Sequence, residues 1–80
     1  MSRGYVLVMV SKKILAVDND PAILTYVSML LGKRGYEVRT AEDGLSALRI
    51  LKGFTPEVMF IDLIMPNISG DKLCSIIRHT

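Results

Sequence analysis

The chain has 80 residues, of which half are hydrophobic and 22% are charged, and its formal net charge is +2 at pH 7. This length suffices for one small domain, and the composition is that of a globular chain rather than a disordered one. The only adjacent basic pairs are Lys12 with Lys13 and Lys33 with Arg34, so no basic stripe favours a nucleic-acid partner. The apolar run at residues 5–10 is too short for a membrane span and lacks the flanks of a secretory signal. We therefore expect a cytoplasmic protein that contacts neither nucleic acid nor membrane.

Apolar patterns predict six elements in the order strand, helix, strand, helix, strand, helix. Strands are predicted at 14–17, 36–41 and 58–61, and apolar residues recur at helical spacing in 23–31, 45–51 and 73–77. The acid or amide before Pro21 is predicted to cap the first helix. A single cysteine, Cys74, rules out an internal disulfide and is predicted to lie on a helix face.

Alternation of strands and helices predicts a parallel sheet that is covered by helices on both faces. The apolar runs of the first and third strands predict that both strands are buried on both faces. With the first strand between the other two, the strand order is 2-1-3, which begins the flavodoxin-like doubly wound arrangement.

Acidic and amide side chains collect where the first and third strands end. Asp18, Asn19 and Asp20 follow the first strand, and Asp62 follows the third. In open parallel sheets, ligands bind outside the carboxyl ends of the strands at the point where the strand order reverses. Each acid alone is equally well explained as a cap or turn residue. Together, carboxylates on adjacent strands predict a magnesium site, in which one carboxylate can accept a phosphoryl group as an acyl phosphate.

Three motifs strengthen this interpretation: "KKILAVDNDPAIL", "GYEVRTAEDGLSAL" and "PEVMFIDLIMPNISG". Through them residues 11–80 resemble the first two-thirds of a response-regulator receiver domain of two-component signalling, and residues 1–10 are predicted to be an N-terminal extension. The resemblance implies that Asp62 is the phosphoacceptor. It also implies that Asp18, Asn19, Asp62 and the backbone carbonyl of Ile64 bind Mg²⁺. The implied partner is a sensor histidine kinase or a phosphotransfer protein.

Two features depart from the family pattern. Asn19 stands where the family normally has a second acid, so Mg²⁺ affinity is expected to be lower, with Asp20 as a further candidate ligand. The resemblance also implies a five-stranded unit, and its last two strands, with their Ser or Thr and Lys, are absent. Lys72 and Thr80 fall in the third helical segment and cannot take those roles.

Other functions remain open at this stage. The chain is expected to be a signalling module rather than an enzyme, and the main alternative is a truncated or degenerate receiver that acts as a non-catalytic interaction or dimerisation module. In the 2-1-3 order the third strand is a sheet edge, which predicts a homodimer through that edge or cover by residues 5–10. The segment "ILAVDND" also resembles the nucleophile motif of haloacid-dehalogenase-type phosphatases, with Asp18 as nucleophile and Asp20 as acid. That motif needs further residues for which 80 positions leave no room.

Overall fold

The structure is a computed structural model that describes Gly4, residues 12–62 and residues 70–78. Its elements in chain order are β1 (Lys13–Val17), α1 (Pro21–Gly32), β2 (Glu37–Ala41), α2 (Gly44–Ile50), β3 (Val58–Ile61) and α3 (Gly70–Arg78). This order confirms the predicted alternation of strands and helices. Within the described ranges, none of the helices has the length and apolar character needed to cross a membrane.

The three strands form one parallel sheet in the order β2-β1-β3. In the central strand β1, Val17 lies beside Ala41 of β2 on one side and beside Ile61 of β3 on the other. The predicted 2-1-3 order and the flavodoxin-like open sheet are therefore confirmed. Among the strands that the structure describes, β3 forms one edge of this sheet.

Helices lie on both faces of the sheet, as the alternation predicted. Leu15 and Val17 of β1 belong to a buried cluster that includes Ala47 of α2 and Leu73 of α3. Because side chains alternate along a strand, Ala16 lies on the opposite face, where α1 packs on β1 and β2. β1 is consequently buried from both sides from its second residue onward.

Burial of β3 differs from the prediction. Val58 and Phe60 are 47% and 50% exposed, so β3 is not buried on both faces as its apolar run suggested. These two residues pair in register with Ile14 and Ala16 and so share the sheet face on which α1 lies. Since α1 packs on β1 and β2, it leaves this face of β3 uncovered. An apolar sequence shows that a strand needs cover, but it does not show what provides it.

The connection from α1 to β2 depends on a glycine. Gly35 has φ of 89°, in the left-handed region that side chains with a Cβ rarely adopt. This conformation lets the chain reverse, and the Tyr36 N–H then donates a hydrogen bond of 3.2 Å to the Leu31 carbonyl oxygen. The helix end is thereby closed before β2 begins.

The connection from α2 to β3 is fixed by an aromatic side chain, Phe54, which is buried. Two cations flank its ring, with the Lys13 Nζ 5.7 Å and the Arg39 Cζ 5.2 Å from the ring centroid. Such cation–π contacts stabilise by about 0.5–1 kcal/mol each at exposed positions. The ring therefore joins this connection to both β1 and β2.

Candidate functional site

Asp18 and Asp62 follow the last residues of two neighbouring strands. Val17 and Ile61 are partners in the β1–β3 register, so the two acids come next on each strand at the same edge of the sheet. The Asp62 N–H donates a hydrogen bond of 2.9 Å to the Val17 carbonyl oxygen. The Asp18 N–H donates one of 3.1 Å to the Ala41 carbonyl oxygen of β2. Each acid is thus attached through its backbone to the adjacent strand, and both residues are half-buried.

The segment between β1 and α1 is ordered by a chain of short-range hydrogen bonds. Oδ1 of Asp18 accepts a hydrogen bond of 2.8 Å from the Asp20 N–H. Oδ1 of Asp20 in turn accepts one of 2.9 Å from the Ala22 N–H, which makes Asp20 the N-cap of α1. The predicted capping of this helix is therefore confirmed. Asn19, between the two acids, is exposed.

A pocket of about 270 Å³ opens beside the two acids, between α1 and the face of β3 that α1 leaves uncovered. Its floor includes Ala16 and Phe60, its wall includes Ile23 and Val27, and Asp18 and Asp62 lie at its strand-end side. An acid at the end of an apolar strand thus reaches solvent rather than the core, which avoids the cost of burying a lone carboxylate. No motif in the sequence predicts this pocket, although the lack of charged residues in α1 is a visible signal of an apolar surface.

The donors at this edge suit magnesium. No group of three or more His, Cys, Asp or Glu side chains that could hold a metal ion occurs within the described ranges, so Asp18, Asp20 and Asp62 do not converge into a carboxylate cage. Magnesium needs no such cage, because it is usually held by one or two carboxylates and keeps several waters. Asp18 and Asp62 provide two carboxylates at one pocket, whereas Asn19 and Asp20 are not among the described residues that line it.

Several predicted features lie outside this geometry. The predicted carbonyl ligand at Ile64, the Met65-Pro66 turn and Thr80 fall outside the described residues, as does the apolar segment 5–10. Lys72 and Cys74 both lie on α3, where Lys72 is exposed and Cys74 is half-buried. The predicted placement of Cys74 on a helix is thus confirmed.

Comparison with known proteins identifies one family. The family model of the response regulator receiver domain matches residues 14–80. Among curated proteins, the alkaline phosphatase synthesis transcriptional regulatory protein PhoP of Bacillus subtilis is 35% identical over 69 residues. That match covers 86% of this chain and 29% of PhoP.

Solved structures agree with the sequence match. The chemotaxis protein CheY4 of Vibrio cholerae superposes with a TM-score of 0.84 at 36% identity, covering 88% of this chain and 58% of CheY4. The response regulator TrrA of Thermotoga maritima, solved in complex with Mg²⁺ and BeF, superposes with a TM-score of 0.79 at 37% identity, covering 85% of this chain and 59% of TrrA. The chain therefore spans less than a third of PhoP and under three-fifths of the two solved structures.

Proposed function

The chain belongs to the response regulator receiver domain family, and on this premise we propose that it is a phosphoacceptor module of a two-component phosphorelay with Asp62 as the acceptor. The proposal rests mainly on the position of Asp62. This residue directly follows β3 and lines the same pocket as Asp18, at the point where the strand order reverses. A carboxylate at that edge is open to an incoming phosphoryl donor and is still attached to a rigid strand.

The proposed reaction is a single phosphoryl transfer. A carboxylate oxygen of Asp62 attacks the phosphorus of a phosphohistidine, the nitrogen–phosphorus bond breaks, and an acyl phosphate forms on Asp62 as the imidazole leaves. The donor is a sensor histidine kinase or a phosphotransfer protein. The chain accepts the group as a signalling module and does not act as an enzyme. Cytoplasmic location and the absence of nucleic-acid contacts stay predictions.

We further propose that Mg²⁺ is the cofactor of this site. Asp18 and Asp62 would hold the ion with charged oxygens, Asn19 with a neutral one, and Asp20 and the Ile64 carbonyl are the remaining candidates. When bound, the ion supplies positive charge that offsets the negative phosphoryl oxygens. In this proposal, Asp18 would hold the Mg²⁺ ion beside Asp62. It is suited to this role because its backbone N–H and its Oδ1 are fixed by hydrogen bonds to Ala41 and Asp20.

Incubation with acetyl phosphate and Mg²⁺, followed by intact-mass measurement, tests the acceptor. The unaltered chain is expected to gain one phosphoryl group, and Asp62→Asn none. The matched control is Asp43→Asn, which alters an acid at the start of α2 and should leave labelling unchanged. Equal labelling of the chain and Asp62→Asn would refute Asp62 as the acceptor.

A second candidate function is a non-catalytic interaction module. The exposed apolar surface of α1 and β3 favours it, as does the neutral Asn19 in the acidic segment. Here phosphorylation would be dispensable, so Asp62→Asn would bind the partner kinase or phosphotransfer protein as tightly as the unaltered chain. Partner affinity that depends on Asp62 and Mg²⁺ would exclude this candidate. The division into an extension at residues 1–10 and a partial receiver at 11–80 is common to both proposals.

A further inference from the structure

Asp20 makes two hydrogen bonds that reach different parts of the fold. Its backbone N–H donates to Oδ1 of Asp18 over 2.8 Å, and its own Oδ1 accepts from the Ala22 N–H over 2.9 Å. The first bond reaches a candidate Mg²⁺ ligand, and the second caps α1. Asp20 therefore connects the start of α1 to the acidic edge of the sheet.

The carboxylate of Asp20 serves the helix and not the pocket. Asp18 and Asp62 line the pocket of about 270 Å³ beside the two strand ends, whereas Asp20 is exposed and is not among the described residues that line it. The backbone of Asp20, with φ of −98° and ψ of 108°, has the extended conformation that an N-cap residue adopts. Because its side chain is bound to the helix start, this conformation is held, and with it the direction of the Asp20 N–H.

We propose that Asp20 is a positioning residue for the Mg²⁺ site and not one of its ligands. The proposal rests on the proposed function, since it assumes that Asp18 binds the ion. The cap fixes the conformation of Asp20, the Asp20 N–H then holds Oδ1 of Asp18, and the Asp18 carboxylate is kept in one orientation at the pocket. Asp20 thus affects the ion only through Asp18.

Asp18 is held at two points. Its backbone N–H donates a hydrogen bond of 3.1 Å to the Ala41 carbonyl oxygen at the end of β2, and its Oδ1 accepts from the Asp20 N–H. An aspartate side chain turns about only two bonds, so fixing its backbone and one oxygen restricts both. The carboxylate therefore has little rotational freedom left to lose when an ion binds, which favours binding.

A simpler explanation is that the two bonds only shape the turn between β1 and α1. An aspartate that accepts from the N–H two residues later is a common turn, and an N-cap stabilises any helix. If Asp20 only shapes the turn, loss of its cap lowers the stability of the chain alone. If Asp20 positions Asp18, the same loss also lowers the Mg²⁺ affinity of the folded chain.

Substitutions at position 20 separate the charge from the cap. Asp20→Asn and Asp20→Ala both remove the carboxylate charge, but only asparagine keeps a capping oxygen. In isothermal titration calorimetry, Asp20→Ala is expected to bind Mg²⁺ about 3- to 10-fold more weakly than Asp20→Asn. Deletion of a group that holds a metal ligand usually costs about 10–100-fold in metal affinity, and the smaller loss is expected because the Asp20 N–H remains and only its fixed direction is lost. Asp20→Ser, which restores a capping oxygen, should bind as Asp20→Asn does.

The matched control is the N-cap of the other helix, α2. Oδ1 of Asp43 accepts from the Ser46 N–H over 2.7 Å, and Asp43 is not among the described residues that line the pocket. Asp43→Ala therefore removes a cap of the same kind without touching Asp18. Asp43→Ala and Asp43→Asn are expected to bind Mg²⁺ equally, and far-ultraviolet circular dichroism verifies that every variant is folded.

Amide hydrogen exchange of the metal-free chain tests the hydrogen bond itself. The Asp20 N–H is expected to exchange at least ~10-fold more slowly in the unaltered chain than in Asp18→Ala, which lacks the acceptor, because exchange requires the hydrogen bond to open. In Asp20→Ala the protection of the N–H at position 20 should fall as well, since the backbone there is no longer held by the cap.

Equal Mg²⁺ affinities of Asp20→Asn and Asp20→Ala would overturn the inference, because Asp20 would then act through its charge or not at all. A difference of the same size between the two Asp43 variants would also overturn it, as would exchange of the Asp20 N–H that does not depend on Asp18. These three results leave the metal site of the proposed function standing. An unaltered chain that binds no Mg²⁺ would refute that site, and the positioning role with it.

Discussion

Asp18 and Asp20 are joined by a hydrogen bond of 2.8 Å, in which the Asp20 N–H donates to Oδ1 of Asp18. The same Asp20 caps α1 through its own carboxylate, which accepts from the Ala22 N–H. The candidate metal ligand Asp18 is therefore held by the residue that starts the helix.

Removal of the cap should weaken the fold. Asp20→Ala deletes the acceptor of the Ala22 N–H and is expected to lower the free energy of unfolding by about 1 kcal/mol, as loss of an N-cap usually does. Asp20→Asn keeps a capping oxygen and should cost little. Urea unfolding of the three proteins measures the difference. Equal losses for Ala and Asn would mean that charge, and not the cap, is the contribution of Asp20.

A second acid beside Asp18 should strengthen metal binding. Asn19→Asp is expected to bind Mg²⁺ more tightly, because magnesium prefers charged oxygen ligands, whereas Asp62→Asn should bind it more weakly. Isothermal titration calorimetry measures both affinities, and Mg²⁺ should also raise Tm, since an ion bound only to the folded chain stabilises it. Affinity that is unchanged or lower in Asn19→Asp would show that the assigned ligands are wrong.

The turn before β2 should be most stable with glycine at position 35. Gly35→Ala introduces a Cβ at φ of 89° and is expected to lower the free energy of unfolding by about 1 kcal/mol. A Cβ at this position would meet no atom within 4 Å, so the cost is conformational and not steric crowding by neighbours. Gly32→Ala is the control, because Gly32 ends α1, is equally uncrowded and lacks a positive φ. If chemical denaturation finds Gly35→Ala as stable as the unaltered chain, the turn has another conformation in solution.

The start of α2 should give stability a specific dependence on pH. The Ser46 N–H donates a hydrogen bond of 2.7 Å to Oδ1 of Asp43, and this bond is the main reason that the pKa of Asp43 lies below its ordinary value of 3.8. A carboxyl group with a lower pKa in the folded state binds protons more readily when the chain unfolds. Its contribution is therefore complete well above the ordinary pKa of 3.8 and is lost as the pH falls through the lower folded pKa.

Asp43→Asn removes the negative charge of this side chain but keeps an oxygen that can cap α2. Asparagine caps helices about as well as aspartate does but does not titrate in this range, so the variant should lose less stability than the unaltered chain between pH 5 and about pH 3. Thermal melts across that interval provide the comparison. Identical pH profiles for the two proteins would assign the acid sensitivity to other carboxylates.

Sequence reasoning succeeded where the signal is local or periodic. The six elements, the 2-1-3 order and the cap at Asp20 follow from apolar spacing, strand–helix alternation and a capping residue before Pro21, and all were confirmed. It failed for Val58 and Phe60, because an apolar run does not reveal which neighbours will cover it. Phe54 was missed for a related reason: its partners Lys13 and Arg39 are distant in sequence and follow no local pattern. The assignment of Asp62 as the phosphoacceptor, and of the residues that would bind Mg²⁺ beside it, stays a prediction.

The ring of Phe54 also determines where two of the positive charges in this fold are held. Lys13 begins β1 and Asp18 follows its end, so at ~3.3 Å per residue about 16 Å separate the two along the strand. Arg39 lies beside Leu15, three residues before Asp18 and ~10 Å away, and it also pairs with Glu37. Measured along the backbone, both separations exceed the Debye length of ~8 Å at physiological salt. Their contacts with Phe54 hold these two side chains toward the start of the strands, so we expect the charge balance of the acidic edge to follow the free magnesium concentration of the surrounding solution.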